Sequence, residues 1–196
     1  MTPNNKQDSA AFFSIQINAE LVDDRVIIWN YEEGSHVYAN GFFGKPIGIR
    51  KPKTNQFERP LKLTLIESCY LLKYSNINIY DGKSGKQLDY ESVYSIGLEK
   101  IPQFEEKLLV YEDIRKRDLV PRPGLKFGAD FAVYKKGPGL DHSPYVITAM
   151  PRGSELTARD LVRAGRLATS VRKKFVIATI LPNNKVRYYG FPWYKP

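Results

Sequence analysis

The sequence has very little cysteine and no long apolar run, and these two absences exclude several classes of protein. Its 196 residues include one cysteine, Cys69, so an intramolecular disulfide and a cysteine-rich zinc site are excluded. The longest apolar run, FVIATIL at residues 175–181, is far too short to cross a bilayer. The N-terminus, MTPNNKQDSA, lacks the basic and then apolar pattern of a signal peptide. We therefore expect a cytoplasmic protein with no membrane segment.

Negative charge is also scarce in one part of the chain. From Arg115 to Pro196 there are 17 Lys and Arg residues against 5 Asp and Glu, whereas the preceding 114 residues hold 13 basic and 16 acidic residues. The excess of positive charge, +9 for the whole chain, therefore lies entirely in the C-terminal part. Such an asymmetry is typical of a surface that binds a polyanion, above all nucleic acid. A solubilising surface or an acidic protein neighbour would also account for it.

Hydrophobic periodicity predicts a mixed α/β (α+β) fold in two domains. Residues 1–100 combine strand-forming segments such as RVIIWN with a helical pattern over residues 61–74, LKLTLIESCYLLKY, which predicts a small α/β domain. Residues 101–196 begin with a helical segment, FEEKLLVYEDIRKRD, and continue with several strands and a second long helix, TARDLVRAGRLATSVRK. This pattern predicts a mixed sheet flanked by helices. Because Ile101-Pro102 interrupts the helical composition of residues 90–118, we place the domain boundary near residue 100.

Tyr134 and His142 are candidates for acid and base catalysis. They lie at the end of one predicted strand and the start of the next, on either side of the turn at residues 137–139, so their side chains can approach each other. A histidine and a tyrosine among lysines suit phosphodiester chemistry, because a nearby ammonium group stabilises the phenolate. Lys173, at a predicted helix-to-strand junction, could supply that charge and stabilise a pentavalent phosphate. A lone histidine near a turn is nevertheless more often structural.

Paired carboxylates, which a two-metal nuclease needs, are lacking in the C-terminal half. The five acidic residues from Arg115 onward are spread along the sequence without paired spacing: Asp118, Asp130, Asp141, Glu155 and Asp160. The one Glu-x-Lys match, Glu105 to Lys107, lies on the predicted amphipathic helix. We therefore disfavour metal-dependent cleavage and expect neither a metal nor a cofactor. Without a metal, the simplest nucleophile is a 2′-hydroxyl of the substrate, which restricts the substrate to RNA.

Three arginines share one face of the second long helix. Arg159, Arg163 and Arg166 stand at positions i, i+4 and i+7, where like charges repel by about a few tenths of a kcal/mol per pair. An anion from outside the chain would relieve this repulsion. The alternative is a solvated basic face, with cations near the end of the helix that interact favourably with its dipole.

Several motifs together resemble the archaeal tRNA-intron (tRNA-splicing) endonucleases. The C-terminal half contains VYEDIRKRDLVPRPGLKFGADFAVY, then HSPYVI, then RLATSVRKKFVIA. These segments are similar to the family's Y-x-D-[IL]-R-x-R-x-L helix end, its G-x-K-[FY]-G-x-D-F-x-x-Y strand, its H-S strand and its S-V-R-K junction. The likeness covers residues 103–181, and FFGKP before LIESCYLL extends it to the N-terminal domain. It implies that the second domain is a nuclease domain.

The resemblance implies metal-free cleavage of precursor tRNA at bulge-helix-bulge sites, which leaves a 2′,3′-cyclic phosphate and a 5′-hydroxyl. The family's catalytic tyrosine, histidine and lysine fall on Tyr134, His142 and Lys173. Tyr134 would act as general base toward the 2′-hydroxyl, and His142 as general acid toward the departing 5′-oxygen. Lys173 would stabilise the transition state.

The resemblance also implies RNA-binding residues outside this triad. The family holds a flipped bulge base between two arginines by stacking and cation–π contact. Arg166 fits the first arginine, and Arg187 or Trp193 is the candidate for the second position. Residues 45–60, KPIGIRKPKTNQFERP, resemble the inserted basic loop of archaeal enzymes built from separate catalytic and structural subunits, with Lys45 as the lysine that approaches the RNA bulge. A solvated loop is the alternative for this insertion.

Family members assemble as homotetramers, doubled-chain homodimers or heterotetramers, and a chain with a single unit excludes the doubled chain. The insertion favours a heterotetramer of two catalytic and two structural subunits. The loop LPNNK at residues 181–185 differs from the acidic loop that docks into a partner subunit in many relatives.

Two other functions stay open. One is a non-catalytic RNA-binding structural subunit of the same complex, and the other is a DNA-binding module, which lacks any helix-turn-helix or zinc pattern here.

Overall fold

The computed structural model describes Phe13, residues 15–170 and residues 172–191. The chain forms two compact units: the first ends at Tyr94, and the second begins at Ser95 and also includes Lys51–Lys53. Each unit has a sheet that contains both parallel and antiparallel strand pairs, together with α-helices. The predicted mixed α/β class is therefore confirmed.

The first unit contains a six-stranded sheet. Its first two strands, β1 (Ile17–Val22) and β2 (Arg25–Ile28), form an antiparallel hairpin. The turn between them needs a left-handed residue, and Asp23 adopts that conformation with φ of 56°, which aspartate tolerates better than most residues. The other strands are β3 (Lys45–Pro46), β4 (Leu61–Leu63), β5 (Ile77–Asp81) and β6 (Gln87–Leu88). The order is β3-β4-β2-β1-β5-β6, with β1 parallel to β5 and the other neighbours antiparallel.

Two helices, α1 (Tyr31–Ala39) and α2 (Leu65–Tyr74), belong to the first unit. Helix α1 was not predicted from the sequence, and the predicted helix over residues 61–74 is wrong at its start, because residues 61–63 form β4. Thr64 and Glu67 form a capping box, in which each side chain accepts a hydrogen bond from the other residue's backbone N–H. Because this box fixes the N-terminus of α2, the preceding residues form β4 instead.

Glu67 also fixes the start of the predicted insertion. Its side chain is 2% exposed, and its Oε1 accepts a hydrogen bond of 2.9 Å from the backbone N–H of Gly44. Gly44 has φ of 68°, and a Cβ there would lie 2.8 Å from side-chain atoms of Leu61, so glycine is required. Lys45 follows directly and is exposed on the edge strand β3. The insertion therefore begins from a fixed backbone that presents Lys45 to solvent.

Two helices, α3 (Tyr90–Lys100) and α4 (Phe104–Lys116), lie on either side of Ile101-Pro102. Gly97 allows them to pack closely, because a Cβ at this position would lie 2.3 Å from the ring of Phe104. Phe104 is buried and starts the apolar face of α4. In the second unit, α4 contacts four strands of the sheet described next.

The sheet of the second unit has five strands in the order β11-β10-β9-β8-β7. They are β7 (Val120–Pro123), β8 (Phe131–Tyr134), β9 (Tyr145–Met150), β10 (Lys174–Ile180) and β11 (Val186–Phe191). The strands β9 and β10 are parallel, and the other neighbours are antiparallel. Helix α4 contacts β7, β9, β10 and β11, and the helix α5 (Ala158–Ser170) contacts β10. None of the helices in the described ranges has the length and apolar composition that crossing a membrane would require.

Candidate active site

The ends of three neighbouring strands meet at one edge of the second sheet. The strand β8 ends at Tyr134 and is antiparallel to β9, with Val133 opposite Tyr145. The strand β10 is parallel to β9, with Lys174 opposite Tyr145. The end of β8 and the starts of β9 and β10 therefore lie together. This topology brings Tyr134, the loop that carries His142, and Lys173 to the same edge.

Lys173 is tied to the residue that follows His142. Its Nζ donates hydrogen bonds of 2.5 Å to the carbonyl oxygen and to the hydroxyl of Ser143, which is 3% exposed. The backbone N–H of Lys174 donates to the carbonyl of Pro144 at 2.9 Å, so the backbones are joined at the same point. The ammonium group of Lys173 is consequently fixed beside the backbone of His142.

An aromatic ring and a second ammonium group complete the surroundings of Lys173. Its Nζ lies 4.9 Å from the ring centroid of Phe127, and the Nζ of Lys126 lies 4.6 Å from the same centroid. Burial lowers the pKa of the Lys173 ammonium group below its ordinary value, and the positive charge of Lys126 adds to this effect. The ring face stabilises the ammonium group of Lys173. Burial and the nearby charge of Lys126 act against it and favour the neutral amine.

Asp141 holds the loop that joins β8 to β9. Its carboxylate accepts hydrogen bonds from the backbone N–H groups of Lys135, Lys136 and Gly137, at 3.0 to 3.3 Å. Burial of this carboxyl acts to raise its pKa, but the backbone hydrogen bonds outweigh burial, so the pKa lies below its ordinary value. His142 comes directly after Asp141. The loop therefore fixes the backbone from which the histidine projects.

The side chains of Tyr134 and His142 have no hydrogen-bond partner within the described part of the chain. Tyr134 is half-buried at the strand end, and His142 is exposed. Both groups can consequently bond to a ligand without first breaking an internal contact.

The structure does not bring all of the predicted RNA-binding residues to this edge. Arg166 is exposed on α5. Arg187 lies on β11 opposite Thr179, roughly 16 Å along β10 from Lys174 at a rise of about 3.3 Å per residue. Lys45 lies in the first unit, and Trp193 lies outside the described residues.

The acidic side chains near this sheet serve other roles. Asp130 pairs with Lys107, with 3.1 Å between Oδ1 and Nζ, and accepts a hydrogen bond of 2.9 Å from the backbone of Ala149. Glu105 is exposed on α4. Across Phe13, 15–170 and 172–191, no group of three or more His, Cys, Asp or Glu side chains could hold a metal ion.

Four residues of this site were not predicted from the sequence: Lys126, Phe127, Asp141 and Ser143. Asp141 carried a usable signal, since an aspartate after a glycine-rich turn often accepts backbone N–H bonds. Ser143 and Phe127 occupy positions of the quoted H-S and G-x-K-[FY]-G motifs. The motifs do not say what these side chains contact, because that depends on which strands become neighbours.

The comparisons with known proteins agree along both units. The family model "tRNA intron endonuclease, catalytic C-terminal domain" matches residues 104–188, and the model "tRNA intron endonuclease, N-terminal domain" matches residues 17–94. A tRNA-splicing endonuclease of Sulfurisphaera tokodaii is 42% identical over 178 residues, which cover 90% of this chain and 98% of the relative. A tRNA-splicing endonuclease of Saccharolobus solfataricus is 44% identical over 181 residues, which cover 91% of this chain and 99% of the relative.

Proposed function

Because this chain belongs to the tRNA intron endonuclease family, we propose that it is the catalytic subunit of a tRNA-splicing endonuclease. It cuts precursor tRNA at bulge-helix-bulge sites and leaves a 2′,3′-cyclic phosphate and a 5′-hydroxyl. The observation that supports this proposal most directly is the convergence of Tyr134, His142 and Lys173 at one sheet edge. A purely structural subunit has no need of all three.

The reaction is an attack of the RNA on its own backbone. Tyr134, as the phenolate, removes the proton of the 2′-hydroxyl, and the 2′-oxygen forms a bond to the adjacent phosphorus. The bond from phosphorus to the 5′-oxygen then breaks, and His142 donates the proton that this oxygen takes up. Lys173 stabilises the extra negative charge of the pentavalent phosphate. Two of its N–H groups bond to Ser143, which leaves the third for a phosphate oxygen.

This chemistry needs no metal ion and no cofactor, since protein groups carry the acid, the base and the charge. It does need a 2′-hydroxyl next to the phosphate, so the substrate is RNA. The positive charge of the second unit supports the same substrate, because phosphate contacts contribute much of the affinity for a nucleic acid.

Residues outside the triad are proposed to bind the bulge. Arg166 is exposed on α5 and can stack on a flipped base. Lys45 is exposed where the insertion begins, and a contact with the RNA backbone would suit it. Arg187 and Trp193 remain candidates for the second stacking position.

We also propose that the chain assembles with a structural subunit of the same family into a heterotetramer. The insertion at residues 45–60 supports this assembly over a homotetramer. Light scattering of the purified chain, alone and mixed with a candidate partner, tests it. A stable and active tetramer of this chain alone would contradict it.

The decisive experiment incubates the chain, alone and with a candidate partner, with a bulge-helix-bulge RNA in EDTA. Ends carrying a cyclic phosphate and a 5′-hydroxyl would support the proposed reaction. The matched control is the same RNA with 2′-deoxyribose at the cut position, which should bind and not react. If the ribose substrate also binds without cleavage in both preparations, the chain is instead the non-catalytic structural subunit.

A further inference from the structure

A short 3₁₀ helix, Leu125–Phe127, lies between β7 and β8 and is held rigidly. The backbone N–H of Phe127 donates to the carbonyl of Gly124 at 2.7 Å. Gly124 packs directly on the strand that follows, since a Cβ there would lie 2.7 Å from the carbonyl carbon of Phe131. The backbone of Lys126 is therefore fixed close to the start of β8.

The ring of Phe127 positions two ammonium groups. Lys126 and Lys173 have their Nζ atoms 4.6 and 4.9 Å from its centroid. The ring is partly buried and packs against a core cluster of Ala129 and Val146, so it has little freedom to move away. Cation–π contact with one rigid ring thus keeps both positive charges at the same edge of the sheet.

The two lysines differ in what their donors do. Lys173 uses two N–H groups on Ser143. Lys126 is exposed, and among the described residues it makes no hydrogen bond and no ion pair through its ammonium group. All three of its donors are therefore open to a ligand.

Carboxylates of the described residues do not balance the charges around this ring. Within the described ranges neither Lys126 nor Lys173 has a carboxylate at ion-pair distance. Burial is the main cause of the lowered pKa of Lys173, and the repulsion by the positive charge of Lys126 lowers this pKa further. An anion placed beside Lys126 would relieve this repulsion.

We propose that Lys126 binds a backbone phosphate of the RNA next to the phosphate that is cleaved. The inference rests on the proposed function, because it takes the scissile phosphate to lie at Lys173. Every nucleotide of the strand carries one phosphate. Lys126 and Lys173 lie at the same ring, so with the scissile phosphate at Lys173 an adjacent phosphate of the strand comes close to Lys126. A flexible ammonium group suits such a contact, since lysine acts as a point charge rather than as a geometric fork.

The first test compares the full chain, in whichever assembly cleaves, with its Lys126→Gln variant. The ligand is the bulge-helix-bulge RNA with 2′-deoxyribose at the cut position. We expect the Kd to rise about three- to tenfold, and the slope of log K against log salt to become shallower by about 0.7 to 1. Lys116→Gln, at an exposed lysine at the end of α4, is the matched control and should change both quantities less. Equal effects in the two variants would overturn the proposal.

The second test identifies the phosphate by a double-mutant cycle. A neutral methylphosphonate replaces one phosphate at a time around the cut. One replacement adjacent to the scissile phosphate should weaken binding by the wild-type chain and have no further effect on Lys126→Gln. Additive effects at every position, or coupling at the scissile phosphate alone, would overturn the assignment.

Different outcomes would contradict the role of Lys126 and the proposed function. If the wild-type preparation cleaves the all-ribose RNA but the cycle is additive, only the role of Lys126 is lost. If it neither binds nor cleaves that RNA, the proposed function fails and the role of Lys126 fails with it.

Discussion

The ammonium group of Lys173 donates hydrogen bonds of 2.5 Å to both the carbonyl oxygen and the hydroxyl of Ser143. Ser143 is buried and directly follows His142. The contact exists because β9 and β10 are parallel and in a register that pairs Lys174 with Tyr145. His142, the proposed acid, and Ser143, which holds the proposed transition-state cation Lys173, are thus adjacent residues of one segment.

Removal of the Ser143 hydroxyl tests this coupling. We expect Ser143→Ala to lower the single-turnover cleavage rate about tenfold, because a hydrogen bond to a charged group contributes about 1.5 to 3 kcal/mol and about 1.4 kcal/mol is a factor of ten. The lower end of this energy range applies, since the carbonyl oxygen of residue 143 still accepts a hydrogen bond from Lys173 in the variant. Ser154→Ala, at an exposed serine of the same unit, is the control and should keep the full rate. Loss of RNA affinity in place of rate would contradict the positioning role.

The proposed role of His142 as general acid gives a sharper prediction. His142→Ala should lower the cleavage rate about 10²-fold or more, with RNA binding retained. A substrate with sulfur in place of the 5′-bridging oxygen should recover most of this loss, because a thiolate leaves without protonation. His36→Ala provides the control, since His36 lies in the first unit and packs edge-on against the ring of Phe13. A defect that sulfur does not rescue would rule out the acid role.

The fold class and the family could be predicted from the sequence, because both follow from local patterns. Helix α1 could also have been found: Asn30 caps it, and Glu32 and Glu33 occupy its first turn, which is a known start signal. The register of β9 against β10 could not have been found. The contact between Lys173 and Ser143 joins residues 30 positions apart, and hydrophobic periodicity carries no information on which strands become neighbours.

For the candidate site, the catalytic residues could be predicted from the sequence and the contacts that position them could not. The motifs indicated Tyr134, His142 and Lys173 as one set, and their catalytic roles stay predictions. The contacts of the supporting residues could not be predicted. Phe127 occupies the aromatic position of the G-x-K-[FY]-G motif, but the motif does not say which side chains its ring contacts. Only the three-dimensional arrangement brings its ring to within 5 Å of two ammonium groups.

Asp130 should contribute to stability rather than to catalysis. It joins Lys107 of α4 to the backbone of Ala149 on β9, and both charged side chains are less than one-fifth exposed. We expect Asp130→Ala to lower the free energy of unfolding by about 2 kcal/mol, because a partly buried cation and a backbone donor both lose their partner. Asp130→Asn should cost less, since an amide oxygen still accepts from Ala149.

Urea unfolding of the two Asp130 variants checks this prediction. Glu105→Ala, at an exposed position on the same helix, should stay within about 0.5 kcal/mol of the wild type. If Asp130→Ala kept its stability but lost cleavage, the residue would instead belong to the catalytic site.

Asp141 is expected to make the loop before His142 sensitive to acid. Its carboxylate accepts three backbone hydrogen bonds. In Asp141→Asn, the amide nitrogen of the new side chain is a donor and cannot accept from the backbone N–H groups of residues 135–137. We therefore expect about a tenfold lower cleavage rate at neutral pH, with the Kd for RNA unchanged. Glu155→Gln, at an exposed carboxylate of the same unit, should retain the wild-type rate.

The pH dependence distinguishes this role from a general loss of charge. The pKa of Asp141 lies below its ordinary value of 3.8 in the folded chain, so its carboxylate stabilises the fold above the unfolded-state pKa, and this stabilisation is lost as the pH falls through the folded-state pKa. The difference in unfolding free energy between wild type and Asp141→Asn should therefore be constant near neutral pH and shrink below about pH 4. Hydrogen exchange of the amides at residues 135–137 should show the same trend, with faster exchange in the variant at neutral pH. A difference that persisted unchanged at pH 2 would mean that the ionised carboxylate does not hold the loop.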